Sequence, residues 1–509
     1  MRHQKLWRLI QKSLVLGVLC GWGMQAGAYQ SGSGDVEEKA GAALSALKTS
    51  TLKAAHPGPV SFTPCTLKGQ EMPGMPTAEL SALCSSLNVP ENPEQPKGRQ
   101  INLKISWVPA AAQPAEADPV VVLAGGPGQA AREAWPMMSA MLGKAMGNRP
   151  VLLVDQRGTG ESNRLDCVSP DGKALIDLNM AQMQTLITSC PRQLKDTADV
   201  RHYGTPDVVR DLEQVREAMK LEKLNLLGFS YGTRTAQHYA RAYPQRVRSM
   251  ALDSPLPNNR SLTEGAPRVY EVLDQVFAAC QQHPACAEQA GDSRAQLMAA
   301  LAALRKQPVS VQVPDPATER IITRQLTEEV LATTVRMMAY TPEMAGMLPE
   351  MIAMMGQQQY DMAAVLSLVI DRMMSQMIPM GSYYAATCTE DIGHRPLPGG
   401  MMKDWLRINA LVRVMEAGCK SWPARSLPKE FHEPLTAKVP TLIVSGGVDP
   451  IIPPAFGDEI AAKLPTARHL ILPQQGHNPI VGGCMPTVLG QFLKRPDPKA
   501  LDVSCLAQK

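Results

Sequence analysis

No charge of one sign dominates this 509-residue chain: 51 Lys and Arg face 47 Asp and Glu, for a formal net charge of +4, with no concentrated basic tract. That balance gives no support for nucleic-acid binding. Beyond the N-terminal segment, no apolar run approaches the ~20 residues that a membrane-spanning helix needs. No Cys-x-x-Cys pair or matched His/Cys cluster offers ligands, so neither a metal site nor a cofactor is expected. No segment recurs at a fixed period.

What is present begins with an address. "MRHQKLWRLIQK" carries Arg2, Lys5, Arg8 and Lys12, "SLVLGVLCGWGM" is a short apolar run, and Ala26-Gly27-Ala28 are small residues ahead of Tyr29. This order is that of a secretory signal peptide over residues 1–28, cleaved to release a protein with no membrane attachment into a periplasm or the medium. The run is short for an uncleaved anchor, and Leu19 before Cys20 argues against a lipoprotein site.

Of the 11 cysteines, Cys20 departs with the signal and ten remain: Cys65, Cys84, Cys167, Cys190, Cys280, Cys286, Cys388, Cys419, Cys484 and Cys505. An even number in an oxidising compartment permits full pairing. Their order points to five local loops, 65 with 84, 167 with 190, 280 with 286, 388 with 419 and 484 with 505; order alone leaves other pairings open.

Residues 29–60 are small, polar and poorly periodic, a flexible lead-in. From 61 to 256 apolar strand-like runs alternate with helical patterns: "QINLKISWVPA", "PVVVLAGGPG", "PVLLVDQRGTG", the helix "PDVVRDLEQVREAMK", the strand "KLNLLGFS", the helix "TRTAQHYARAYP" and the strand "RVRSMALDSP". Such alternation is α/β, and continuous apolar runs suit a mostly parallel sheet covered on both faces. Residues 257–435 read as helices and loops, a cap inserted into the α/β domain. Sheet signals return over 436–509 with "VPTLIVSGGVDP" and "RHLILPQQGHNP", before a closing helix.

Gly228-x-Ser230-x-Gly232 lies where a strand passes into a helix. A serine at so tight a turn needs neighbours almost free of side chains. The pentapeptide alone also fits an ordinary glycine-flanked turn. A serine hydroxyl is a poor nucleophile without a base, and the base needs an orienting acid, both placed after late strands. Asp449 follows "TLIVSGGV" and His477 follows "HLILPQQG", which makes Ser230, His477 and Asp449 the expected triad. Asp253, after "SMAL", is the competing acid. The developing oxyanion calls for two N–H donors. These are expected from Tyr231, directly after the serine, and from Gly126 in "LAGGPGQ".

Gly125-Gly126-Pro127-Gly128, "DQRGTGES" at 155–162, "GFSYG", "GGVDPIIP" at 446–453 and "GHNP" at 476–479 together resemble the proline iminopeptidase and tripeptidyl aminopeptidase branch of the α/β-hydrolases. The C-terminal part is similar to the region described as tripeptidyl-aminopeptidase-like. Ala124 departs from the iminopeptidase H-G-G-P-G pattern, which tilts the likeness toward the tripeptidyl branch. The resemblance implies a serine exopeptidase acting on short peptides with free N-termini, under a helical cap.

An ammonium group calls for carboxylates. The resemblance implies cap acids, and Glu390 and Asp391 in "TCTEDIG" are the candidates, against the alternative of solvated surface acids. Residues 337–380 hold twelve methionines. Their helical spacing among Leu, Ile, Ala and Val fits a pliable apolar lid better than a soft-metal site. Asp155, Arg157 and Ser162 are expected to fix a turn below the site. Two other readings stand beside the peptidase: a carboxylesterase or other acyl hydrolase with the same triad, and an idle binding protein on the same fold.

Overall fold

The computed structural model describes residues 60–71, 76–112, 114–392 and 406–507. The expected signal peptide, and all of the lead-in except Val60, lie outside the described residues.

One nine-stranded sheet organises the chain, in the order β1-β2-β3-β5-β4-β6-β7-β10-β11. β1 (Thr63–Lys68), β2 (Glu79–Pro90) and β3 (Gln100–Val108) form an antiparallel flank that joins β5 (Val151–Val154). From β5 onward, β4 (Val120–Leu123), β6 (Leu224–Phe229), β7 (Val247–Asp253), β10 (Thr441–Gly446) and β11 (Ala467–Leu472) run parallel.

The central strands read "VVVL", "VLLV", "LNLLGF" and "TLIVSG", and every residue in them is buried. Because successive side chains point to opposite faces, each strand serves two cores. Val121, Leu152, Leu226 and Met250 face one side, against Leu212 and Val215 of the helix Thr205–Ala218 and Tyr239 of the helix Gly232–Ala242. Val120, Val122, Leu153, Leu227 and Ala251 face the other, against Trp135 of the helix Ala131–Leu142 and Leu489 and Phe492 of the helix Met485–Lys494. Both faces are covered, which is why these strands are continuously apolar and not alternating.

Between β7 and β10 the chain builds a second core of its own, with Leu331, Val335, Met338, Met351, Leu366 and Ile370 at its centre. The segment read as helices and loops is mainly helical, but it also holds the antiparallel hairpin β8 (Val309–Pro314) and β9 (Ile321–Leu326). β8 alternates buried or part-buried valines with exposed side chains along "VSVQV", a two-residue period that the flanking helical patterns mask. β1 and β2 were likewise unforeseen, since their burial follows no clean alternation.

The "DQRGTGES" turn is tied to the body of the fold. Arg157 is buried and forked onto Asp211 at 2.6 and 2.7 Å, Asp155 accepts the Arg132 N–H at 3.0 Å, and Ser162 Oγ accepts the Lys104 N–H at 2.8 Å. The structure bonds Cys65 to Cys84, Cys167 to Cys190, Cys280 to Cys286, Cys388 to Cys419 and Cys484 to Cys505. The last bond clasps the tail onto the start of the closing helix across 21 residues. Closing a loop of that size is worth about 2–4 kcal/mol. Replacing Cys484 and Cys505 together by serine is therefore expected to lower unfolding stability by that amount, read from denaturant titration, while non-reducing peptide maps of the parent show five linked peptides.

Candidate active site

The loops that leave the C-terminal ends of the parallel strands converge above the sheet, where open α/β sheets place their ligands. β6 ends at Phe229, and Ser230 takes a left-handed backbone, φ +52°, before the helix Gly232–Ala242 begins. A β-carbon on Gly232 would sit 2.1 Å from the Leu123 carbonyl oxygen, and one on Gly228 would sit 2.9 Å from the Gly232 oxygen. Only glycine fits at either place. The turn is then sewn down: Ser230 N–H donates to the Asp253 carbonyl at 2.8 Å, while Thr233 Oγ1 donates to the Ser230 carbonyl at 2.5 Å and accepts the Leu256 N–H at 2.9 Å.

His477 and Asp449 come together. Imidazole Nδ1 lies 2.7 Å from Asp449 Oδ2, and since a carboxylate only accepts, the proton sits on Nδ1 and leaves Nε2 basic. Asp449 is wholly buried. Its Oδ2 also accepts from Ser254 Oγ at 2.8 Å, and its Oδ1 accepts the N–H groups of Ile451 and Ile452 at 2.9 Å each. Four donors satisfy both oxygens, as a buried carboxylate requires.

The competing acid takes a different place. Asp253 accepts the Ile480 N–H at 3.2 Å and makes no bond to His477. Burial, reinforced by the neighbouring Asp449, raises its pKa well above the ordinary carboxylate range despite that backbone bond.

Gly126 and Tyr231 lie on the two loops that meet at Ser230. A β-carbon on Gly125 would approach Ser230 Cβ to 3.1 Å and Oγ to 3.7 Å, so the "AGGPG" backbone runs directly past the serine, with Gly126 at φ +106°.

An apolar cavity of about 330 Å³ opens beside the imidazole, with Phe229, Tyr340, His477 and Glu343 in its wall. Seven methionines line it: Met137 and Met138 from the helix Ala131–Leu142, Met337, Met344, and Met373, Met374 and Met377 from the helix Asp361–Met377. The inserted segment also grips the histidine loop. The His477 N–H donates to the Tyr340 carbonyl at 2.9 Å, and the two rings meet edge to face with centroids 5.4 Å apart.

Glu390 and Asp391, the expected partners of a substrate ammonium group, are not among the residues that line this cavity. Both are buried at the end of the helix Met380–Glu390. Glu390 accepts the Thr205 N–H at 2.6 Å, Thr205 Oγ1 at 3.1 Å and Tyr231 OH at 2.5 Å. Asp391 accepts from Arg234 Nη1 at 2.7 Å and from the Leu262 N–H at 3.3 Å. Burial opposes the Arg234 charge, but Asp391, Tyr231 and Glu390 outweigh it and hold its pKa above the ordinary value. Burial likewise raises the Glu390 carboxyl, against the pull of Arg234.

These two acids therefore brace the residue that follows Ser230. Sequence reasoning missed Arg234, Thr205, Ser254 and Tyr340. Arg234 had one available signal, its place in the first turn of the helix that begins with Gly232. Replacing Glu390 by glutamine leaves a buried guanidinium with a single anion, a change of about 3 kcal/mol or more in folding stability. The variant is expected to lose ester and peptide turnover by the same factor, with a lowered melting point. A KM rise confined to peptides with free N-termini would instead put Glu390 in contact with substrate.

Comparison with known proteins agrees with this architecture. The model of the alpha/beta hydrolase fold matches residues 118–291, and that of TAP-like proteins matches residues 408–505. Serine protease Hip1 of Mycobacterium tuberculosis (strain ATCC 25618 / H37Rv) is 30% identical over 252 residues, 45% of this chain and 46% of that protein. The tripeptidyl aminopeptidase of Streptomyces lividans is 27% identical over 193 residues, 34% of this chain and 35% of that one. The proline iminopeptidase of Heyndrickxia coagulans is 31% identical over 139 residues, 27% and 35% of the two chains. The chain thus spans less than half the length of each of these relatives. Sheet order, elbow and both matched segments give this chain the α/β-hydrolase fold, with a C-terminal region similar to TAP-like proteins.

Proposed function

We propose that this protein is an exported serine peptidase that cleaves short peptides near a free N-terminus through an acyl-enzyme. The observation that carries the reading is the bond from His477 Nδ1 to a buried, fully satisfied Asp449, with the imidazole in the wall of an apolar cavity beside the Ser230 elbow. Relatives named as a serine protease, a tripeptidyl aminopeptidase and a proline iminopeptidase support peptide over other acyl substrates. Five disulfides support export, and among the described residues no helix is long and apolar enough to cross a membrane.

In this reading Ser230 Oγ attacks the scissile carbonyl while His477 Nε2 takes its proton, and Asp449 stabilises the imidazolium that forms. The N–H groups of Gly126 and Tyr231 receive the oxyanion. The imidazolium then protonates the departing amine, and water, deprotonated by the same nitrogen, releases the acyl group. The methionine wall takes apolar side chains of varied shape, because an unbranched thioether adapts its rotamers to what it meets.

With Glu390 and Asp391 turned inward, the ammonium group needs another partner. Glu343 is the one carboxylate in the cavity wall among the described residues. It follows closely on Tyr340, whose carbonyl holds the histidine loop, so it stands at a fixed offset from His477.

Two outcomes test the reading on chromogenic aminoacyl and tripeptidyl amides, their N-blocked forms and a p-nitrophenyl ester. Asp449→Asn is expected to cut kcat on every substrate by about 10⁴-fold with folding intact. Glu343→Gln is expected to raise KM for unblocked amides about 10- to 100-fold, the worth of one charge-assisted hydrogen bond, and to leave the ester unaffected. Ester cleavage without amide turnover by the parent protein would replace the peptidase by an esterase.

A further inference from the structure

The seven methionines of the cavity wall differ from a set that is sealed in the core. Each of Met137, Met138, Met337, Met344, Met373, Met374 and Met377 is partly exposed, whereas Met219, Met250, Met338, Met351 and Met485 are completely buried. Met338 directly follows Met337 in one helix, so the same stretch holds one thioether on the cavity and one sealed away. Met183, Met347, Met354 and Met380 are partly exposed as well, but only the seven form the ring of thioethers that lines this one apolar cavity, while the packing beneath it is sealed from solvent.

We propose that this ring is a modification site: hydrogen peroxide, or hypochlorous acid, converts the cavity methionines to sulfoxides and thereby closes the protein to apolar substrates. In the peroxide step a sulfur lone pair attacks one peroxide oxygen. The S–O bond forms as the O–O bond breaks, the thioether loses two electrons, the peroxide gains them, and water leaves. Each conversion replaces a flexible apolar side chain by a polar, chiral one. Several such changes in one wall remove the apolar surface against which a substrate side chain would be buried. The elbow, Asp449 and their hydrogen bonds lie outside the ring, so the chemistry at Ser230 survives for an acyl group too small to use the cavity. Reduction by methionine sulfoxide reductases, one for each sulfur epimer, restores the wall.

The inference rests on the cavity serving as the acyl-side pocket of the proposed hydrolase, and its test keeps the two apart. The full chain and a variant with all seven cavity methionines replaced by leucine are treated with graded hydrogen peroxide. A second variant changes only Met373, Met374 and Met377, in case the sevenfold change impairs folding. Sulfoxide is mapped by peptide mass spectrometry, an environment-sensitive apolar dye reports on the cavity, and kcat/KM is followed on a bulky apolar amide and on an acetyl ester. Each variant is compared with its own untreated state.

Sulfoxide is expected at the cavity positions before Met338 or Met351. In the parent, dye binding and kcat/KM on the bulky amide are expected to fall tenfold or more, the ester rate to change less than twofold, and both losses to reverse with the two reductases. The treated-to-untreated ratio should approach one in the sevenfold variant and rise partway in the threefold one. Met298, exposed on the surface away from the cavity, serves as an internal control that oxidises without effect. Sulfoxide at the seven positions without loss of dye binding, or an equal loss in the leucine variants, would overturn the proposal. A parent that hydrolyses neither amide nor ester before treatment would defeat the hydrolase reading alone, since mapping and dye binding still decide this one.

Discussion

A left-handed backbone at Ser230, pinned between two glycines that have no room for a β-carbon, is the constraint on which the rest of this architecture turns. Such a conformation costs a non-glycine residue on the order of 1–3 kcal/mol and persists only where its surroundings over-determine it. Here they do. β4, β6 and β7 are buried on both faces, and the carbonyls of Leu123 and Asp253 press on or bond to the turn from either side. The two-faced core beneath the sheet is thus the means by which one hydroxyl is held proud of it.

A second arrangement depends on the first. Ser254, the next residue after β7, is also left-handed, φ +49°, and its hydroxyl both donates to Asp449 and accepts the Asn478 N–H. One side chain therefore joins the loops that follow β7, β10 and β11. Asp449 and His477 are positioned by neighbouring backbone as much as by each other.

Much of this could be read from residue order, for a physical reason. Strand ends next to glycine mark where a chain must turn, and chemistry-bearing side chains at such turns stand out: Ser230, Asp449 and His477 each follow an apolar run. The sheet interior was equally legible, because full burial on both faces leaves an unbroken apolar signature. The burial of Glu390 and Asp391 was not legible, because sequence shows that an acid is present and not whether it faces water. Their partner Arg234 lies 156 residues earlier than Glu390, inside a helix that reads as ordinary. Ser254 and Tyr340 act through a hydroxyl and a backbone carbonyl that no motif announces. The hairpin β8–β9 escaped because two short alternating stretches were set among long helical ones.

The buried cluster of Arg234, Glu390 and Asp391 has one more consequence, for how the molecule comes apart. It joins the helix after Ser230 to the end of the helix Met380–Glu390 in the inserted segment, with every side chain in it buried. Removing one member while the others stay buried would leave a charge there without its counter-ion, at a cost of about 3–5 kcal/mol. The inserted segment and the sheet domain are thus one cooperative unit at this end, even though each has a core of its own, and neither half can loosen here without unsettling the other.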